Sequence, residues 1–157
     1  MTAQSEAMQT ASRNGEGPVR LAAFDFDGTS LDGNSPVMLV KHLAKLRMLN
    51  PTVLLRIGLW ATAYKLRLPQ SEAWVRGLVF RAFAGKPKAE ADAFLHDFYD
   101  ECVAPHVREQ ARRAMDAWHE QGVSVVCVSA SFEPIIQRAM RDLPFDYQIS
   151  TRMKVNY

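Results

Sequence analysis

The sequence predicts an α/β fold: an open parallel sheet with an all-helical subdomain inserted after its first strand. Three observations predict it. Two short apolar runs, residues 19–24 (VRLAAF) and 123–129 (VSVVCVS), each lead into a polar loop. Helical patterns separate the apolar runs, and strands joined through helices pair in parallel. The stretch over residues 33–104 is too long for a single crossover and divides into several helical segments. The expected organisation is a polar, disordered leader over 1–18, a core assembled from 19–32 and 105–157, and a helical insertion over 33–104.

The elements follow in order. Residues 19–24 are short and apolar and read as a buried strand. The polar turn DFDGTSLDGNS over 25–35 follows. Asn34 or Ser35 can cap a helix with Pro36 in its first turn, and Leu39, Leu43 and Leu46 share one face. Asn50-Pro51 ends that helix and starts another, which aligns Val53, Ile57, Trp60 or Ala61, and Tyr64. Ser71 can cap a third helix over 72–83, ended by Gly85. A fourth covers 88–102 with Phe94, Leu95, Phe98 and Tyr99, and Pro105 marks its boundary. An amphipathic helix over 107–121 ends at Gly122, placed as a left-handed cap. The β-branched run 123–129 has the character of a strand buried on both faces. Pro134 opens a helix through about Arg141, and residues 146–151 read as a third strand.

Composition is ordinary for a globular chain of 157 residues, with 48% hydrophobic and 23% charged side chains. The formal net charge is +2 with no dense basic run, which argues against a nucleic-acid partner. Cys102 and Cys127 form no CxxC pair, and Cys127, inside an apolar run, is expected to be a buried free thiol. A reducing, cytoplasmic setting is the default expectation. The most apolar window, 53–68, is interrupted by Arg56, Lys65 and Arg67 and is too short to span a bilayer. An amphipathic helix is the expected reading, with contact to a membrane surface as the weaker alternative.

In an open parallel sheet, function gathers at the carboxyl ends of the strands. Two polar loops fall there, 25–29 and 129–131. Alternation directs Asp25 and Asp27 one way and Phe26 into the core. Phosphoryl transfer requires an oxygen nucleophile, a proton donor for the leaving group, and positive charge against the equatorial oxygens. Asp25 can supply the first and Asp27 the second. Paired carboxylates also suit Mg²⁺, which prefers a few carboxylates together with substrate phosphate and water. Gly28 permits a sharp turn whose N–H groups can face a phosphate, and Thr29 can fix the loop. The Ser129 hydroxyl and the N–H groups after it, at Ala130, suit a phosphate oxygen, and equally suit a simple turn. A bare pair of aspartates one residue apart is commonly only a solvated turn. Following an apolar strand as DFDGT, it points to catalysis.

The remaining polar residues carry blander expectations. Asp32 and Asn34 read as turn and cap more readily than as substrate contacts. His42, His96, His106 and His119 lack mutual spacing for a metal site and are expected to be surface or packing residues. Trp60, Trp74, Phe94 and Phe98 are expected in the core. Arg56, Lys65, Arg67 and Arg76 are expected on a solvated helix face, with a cationic substrate patch as the alternative.

The string Phe24-Asp25-Phe26-Asp27-Gly28-Thr29, followed downstream by Val126-Cys127-Val128-Ser129-Ala130-Ser131-Phe132, resembles the haloacid dehalogenase superfamily. It is similar in particular to its phosphoserine-phosphatase-like branch, which carries a helical cap after the first motif. The resemblance runs from about Val19 to the end of the sequence and is specific for the superfamily, not for a substrate. It implies a Rossmann-like core and a Mg²⁺-dependent phosphatase working through an aspartyl-phosphate. Under it Asp25 is nucleophile and metal ligand. Asp27 is acid/base and binds the metal through its carbonyl. Ser129 holds the phosphoryl group, with Gly28, Thr29 and Ala130 beside it. The implied substrate is a small-metabolite or lipid phosphate monoester.

Three departures from the family pattern qualify this. Ser30 stands where an apolar residue is usual. Asn34 stands where phosphoserine phosphatases carry a Glu, and the apolar helix studded with Arg and Lys is closer in character to lipid-phosphate phosphatases such as phosphatidylglycerophosphatase. The family's Lys and its later pair of acids find no counterpart: Lys154 comes early, and no acid follows Asp146. The expectation is therefore a truncated catalytic unit, with a fold-retaining, catalytically inactive protein as the alternative reading.

Overall fold

The computed structural model describes residues 20–65, 77, 79 and 81–152. Three parallel strands form one sheet: β1 (Leu21–Phe24), β2 (Ser124–Phe132) and β3 (Tyr147–Thr151), in the order β1-β2-β3. Helices among the described residues include α1 (Ser35–Lys45), α2 (Pro51–Lys65) and α3 (Lys88–Phe98), the last followed by a π-helical turn (Tyr99–Val103) and a 3₁₀ turn (Ala104–His106). Then come α4 (Glu109–His119), which precedes β2, and α5 (Glu133–Ala139), which joins β2 to β3. The predicted strand–helices–strand–helix–strand order is the observed one. The expected leader, the cap at Ser71, and Trp74, Arg67 and Arg76 lie outside the described residues, as do the side chains of Trp60 and Lys65.

Both steps across the sheet go in the same direction. Right-handed crossovers therefore put α4 and α5 on the same face. Burial follows from this. Ala22, Val125 and Cys127 are buried on the covered face. On the other face Val128 is 44% exposed, Tyr147 59% and Ile149 65%. The expectation of a central strand buried on both faces is thus corrected: among the described residues only one face of β2 is fully covered. Register pairs Val126 with Tyr147 and Val128 with Ile149, which lines the exposed side chains up in neighbouring strands.

Local chemistry explains the helix boundaries. The Asn34 side chain accepts from the Val37 N–H at 3.1 Å, and Pro36 sits in the first turn, so Asn34 is the cap. Leu39 and Leu43 are buried one turn apart. Leu46, expected on that face, is 48% exposed because α1 ends at Lys45 and Arg47 turns the chain with φ 56°. The Asn50 side chain caps the next start by accepting from Thr52 at 3.1 Å. Val53 and Ile57 pack against the core, while Leu55 and Leu59 are exposed. The helix predicted over 88–102 is regular only to Phe98 and then widens into the π-helical turn, which buries both Tyr99 and Val103. Phe98 is buried and Phe94 half-buried. Gly122 is left-handed at φ 68°. No described helix is long and apolar enough to cross a membrane.

Asp146 anchors β3 to β2. Its N–H donates to the Val125 carbonyl at 2.8 Å, and its carboxylate accepts from the Val125 N–H and contacts His119 Nε2, each at 2.7 Å. The Val125 N–H, then His119, hold its carboxyl below the ordinary 3.8. A depressed acid contributes stability that is present above its unfolded value and lost as pH falls through the folded one. Asp146→Ala should therefore cost about 1 kcal/mol at pH 7, a modest figure because the carboxylate is partly exposed. The difference from wild type should shrink in denaturation curves as pH falls below 3.8 and through the lowered folded-state value.

Candidate active site

The site is built at the carboxyl end of β1. Register pairs Phe24 with Cys127, so Asp25 lies one step and Phe26 two steps beyond the last β1–β2 pair. Burial alternates as the sequence predicts: Asp25 exposed, Phe26 fully buried, Asp27 half-buried. The loop closes on itself through backbone bonds. Gly28 N–H donates to Gly33 O at 2.8 Å, and Leu31 N–H to Phe26 O at 2.8 Å. Gly28 adopts φ 80°, a left-handed conformation that a side chain would strain. Leu31, also fully buried, pins the loop from the other side.

The loop is also tied to the segment returning from the helices. Asp32 N–H donates to His106 O at 2.8 Å, and Arg108 N–H to Ser30 O at 2.9 Å. Ser30, which stands where an apolar residue is usual, is fully buried, and its hydroxyl donates to the Asp25 carbonyl at 2.7 Å. A polar side chain is tolerated there because its one donor is satisfied.

Two carboxylates meet different surroundings. The Asp25 Oδ2 accepts from the Thr29 hydroxyl at 3.0 Å, which orients the carboxylate and leaves Oδ1 for other partners. The Asp27 Oδ1 accepts from the Ser35 N–H at 2.5 Å. Burial nevertheless pushes the Asp27 carboxyl above its ordinary value, with the negative charge of Asp25 adding to the rise against the Ser35 bonds. A divalent cation would relieve that repulsion, and the oxygen-only donors suit Mg²⁺. The donor set therefore fits the ion that the resemblance implies.

Ser129 and Ala130 lie on the same side of the fold but not in the expected setting. β2 continues to Phe132, with an irregularity in its pairing to β3 between Val128 and Phe132. Residues 129–131 are thus extended strand, not a loop, and α5 begins only at Glu133. The Ser129 hydroxyl accepts from the Ser131 N–H at 3.0 Å. The Ser131 hydroxyl in turn meets that of Ser35 at 2.6 Å, both fully buried. This contact links the two halves of the site across 96 positions. Sequence reasoning did not find it, because nothing local distinguishes Ser35 from an ordinary capping residue.

Asp32 is not a cap. Its carboxylate pairs with the Arg108 guanidinium at 2.9 Å, beside an open groove of about 650 Å³ lined by Phe24, Thr29, Asp32, Arg108, Gln110 and Ala111. Arg108 is the second residue that sequence reasoning missed. Its signal, an isolated arginine before a helix, is too common to single out.

Cys127 is buried below the carboxylates. Burial, with the charges of Asp25 and Asp27, pushes its thiol up to about 12. At pH 8 only about one in ten thousand such thiols is ionised. Native protein freed of metal by a chelator and treated with iodoacetamide should therefore be alkylated at half-buried Cys102 and not at Cys127. Peptide mass mapping reads this directly, and alkylated Cys127 in native protein would contradict the placement.

A family model described as haloacid dehalogenase-like hydrolase matches residues 22–157. Solved structures extend the likeness. A protein of unknown function from Bordetella pertussis Tohama I is 20% identical with a TM-score of 0.73, over 88% of this chain and 63% of that one. A HAD family hydrolase from Salmonella enterica subsp. enterica serovar Typhi is 14% identical with a TM-score of 0.61, over 99% and 52%. A phosphoserine phosphatase, as its phospho-aspartyl intermediate analogue, is 15% identical with a TM-score of 0.56, over 88% and 58%. The chain thus spans between about half and two thirds of the length of these structures, and at such identities the likeness speaks to the fold. No curated protein matches the sequence.

Proposed function

This chain belongs to the family of haloacid dehalogenase-like hydrolases, and we propose that its site hydrolyses a phosphate monoester through an aspartyl-phosphate, with Mg²⁺ as cofactor. The observation that carries the reading is the pair of carboxylates in unlike environments at the end of β1. Asp25 is exposed and oriented by Thr29, while Asp27 is half-buried with its carboxyl pushed up. An exposed, oriented carboxylate beside a half-buried carboxyl that is pushed up suits one nucleophile and one proton donor.

In the first half-reaction an Asp25 oxygen attacks phosphorus. The new bond forms as the ester oxygen–phosphorus bond breaks, and Asp27 gives its proton to the departing alcohol oxygen. In the second, Asp27 takes a proton from the water that attacks the same phosphorus. The aspartyl oxygen–phosphorus bond then breaks, releasing phosphate and restoring Asp25. The N–H groups around Gly28, the Thr29 and Ser129 hydroxyls and the N–H of Ala130 are proposed to hold the phosphate oxygens. Mg²⁺, held by the Asp25 carboxylate and the Asp27 carbonyl, would offset negative charge on the phosphate. Residues 33–104 are proposed to act as a helical cap that sets the substrate, a small-metabolite or lipid phosphate.

The test is phosphate release from an aryl phosphate by the purified chain, with Mg²⁺ and after chelation. Release that requires Mg²⁺ is the expected result. Equal release in the presence of excess chelator would exclude the cofactor assignment, and no release under either condition would favour a phosphate-binding protein that does not turn over.

A further inference from the structure

A second cluster of ionisable side chains lies away from the Asp25–Asp27 loop in sequence. His42 comes from the last turn of α1, and Glu101 and Cys102 from the π-helical turn. His42 Nδ1 is 3.3 Å from Cys102 Sγ. With a Glu101 carboxylate oxygen, the three ligand atoms all lie within 4.8 Å of one another. The histidines were expected to lack metal partners because their spacing with one another is wrong. For His42 the partners are not histidines, and they stand 59 and 60 positions away.

The spacing is that of metal ligands. With zinc bonds of about 2.3 Å to sulfur and about 2.0–2.1 Å to nitrogen, one edge of a tetrahedral site measures about 3.5 Å between sulfur and nitrogen. The observed separation needs to open by only a few tenths of an ångström. The imidazole is already positioned, its ring tilted against Phe94 and Phe98 at centroid distances of 5.7 and 5.4 Å. The turn that carries the other two ligands is π-helical, a geometry that recurs at functional positions. Glu101 is exposed while His42 and Cys102 are half-buried, so the cluster opens to solvent on one side, where a water can complete four ligands.

We propose that His42 Nδ1, the Cys102 thiolate and the Glu101 carboxylate bind one Zn²⁺, fastening α1 to the π-helical turn. A thiolate and an imidazole favour Zn²⁺ over Mg²⁺, so this site and the Asp25–Asp27 site would select different ions. Binding exchanges the Cys102 thiol proton for the metal and releases that proton to solvent. The site would be a structural fastening, independent of catalysis.

The test uses Co²⁺ as a spectroscopic stand-in for Zn²⁺ on the chelator-treated full chain. The expected result is a thiolate-to-cobalt charge-transfer band that saturates at one equivalent and is bleached by Zn²⁺. Asp25→Asn and Cys127→Ala should keep the band, and Cys102→Ser should lose it. Glu101→Gln, an exposed change that preserves folding, should weaken Zn²⁺ binding at least about tenfold. Zn²⁺ at a hundredfold excess over its dissociation constant should raise the unfolding midpoint by about 5–10 °C in wild type and not in Cys102→Ser. Absence of the band in wild type would overturn the proposal and leave a thiol–imidazole hydrogen bond. So would a band or midpoint shift that survives Cys102→Ser.

Discussion

Asp25→Asn is expected to lower Mg²⁺-dependent phosphate release by about four orders of magnitude or more while leaving the fold intact. An amide oxygen is a far weaker nucleophile than a carboxylate, and loss of an attacking group costs enzymes about 10⁴- to 10⁶-fold. The substitution is nearly isosteric, and the Asp25 side chain is exposed. The Thr29 hydroxyl can still donate to the amide oxygen, as it does to Oδ2 at 3.0 Å. The loop's backbone bonds, from Gly28 to Gly33 and from Leu31 to Phe26, do not involve the side chain. Circular dichroism and the urea midpoint should therefore match wild type. Asp27→Asn behaves differently. Asparagine has no proton to give, yet the attacking carboxylate remains, so substrates with good leaving groups should lose least. A comparison of aryl and alkyl phosphates separates the two roles.

Phe26→Ala should be the most destabilising single change in the site region. Phe26 lies between the two aspartates and is fully buried in the core cluster with Leu31, Cys127, Phe132 and Ile135. Truncating a buried phenylalanine costs about 3–5 kcal/mol, through lost transfer energy and the cavity left behind. That is a large share of the roughly 5–15 kcal/mol that holds a domain folded. The urea midpoint should fall by about 1–2 M. Phe26→Leu keeps most of the volume and should cost less than about 1.5 kcal/mol. A midpoint shift below about 0.5 M for Phe26→Ala would contradict the burial. The coupling matters for function: the same ring that fills the core fixes the backbone from which Asp25 and Asp27 project.

What was legible in the sequence was mostly local. The two apolar runs marked β1 and β2 to within a few residues, and residues 146–151 marked β3, although β1 buries only Ala22 and β3 keeps Tyr147 and Ile149 exposed. The Asn34 cap and the left-handed Gly122 were readable because a side-chain oxygen before a helix and a missing Cβ after one act within a single turn. The family likeness also rested on contiguous strings around Asp25 and Ser129. The features that escaped depend on distant partners. Ser35 reads as a cap until Ser131 is brought to its hydroxyl. Arg108 reads as surface charge until the loop returns beside Asp32. The π-helical turn leaves no local mark, since 88–102 has an uninterrupted helical pattern. The exposure of Val128 could not be read from VSVVCVS, because the β-branched run is the same whether one side is covered or two. What lies over each face is set by elements distant in sequence.

Asp25 itself is proposed to carry the phosphoryl group during turnover. This is tested by quenching the reaction in acid under single-turnover conditions, reducing with borohydride and sequencing the peptides by mass spectrometry. An aspartyl-phosphate is reduced to homoserine, so homoserine is expected at position 25, dependent on substrate and Mg²⁺. Substrate turnover with an unmodified Asp25, or with the label on another residue, would contradict it.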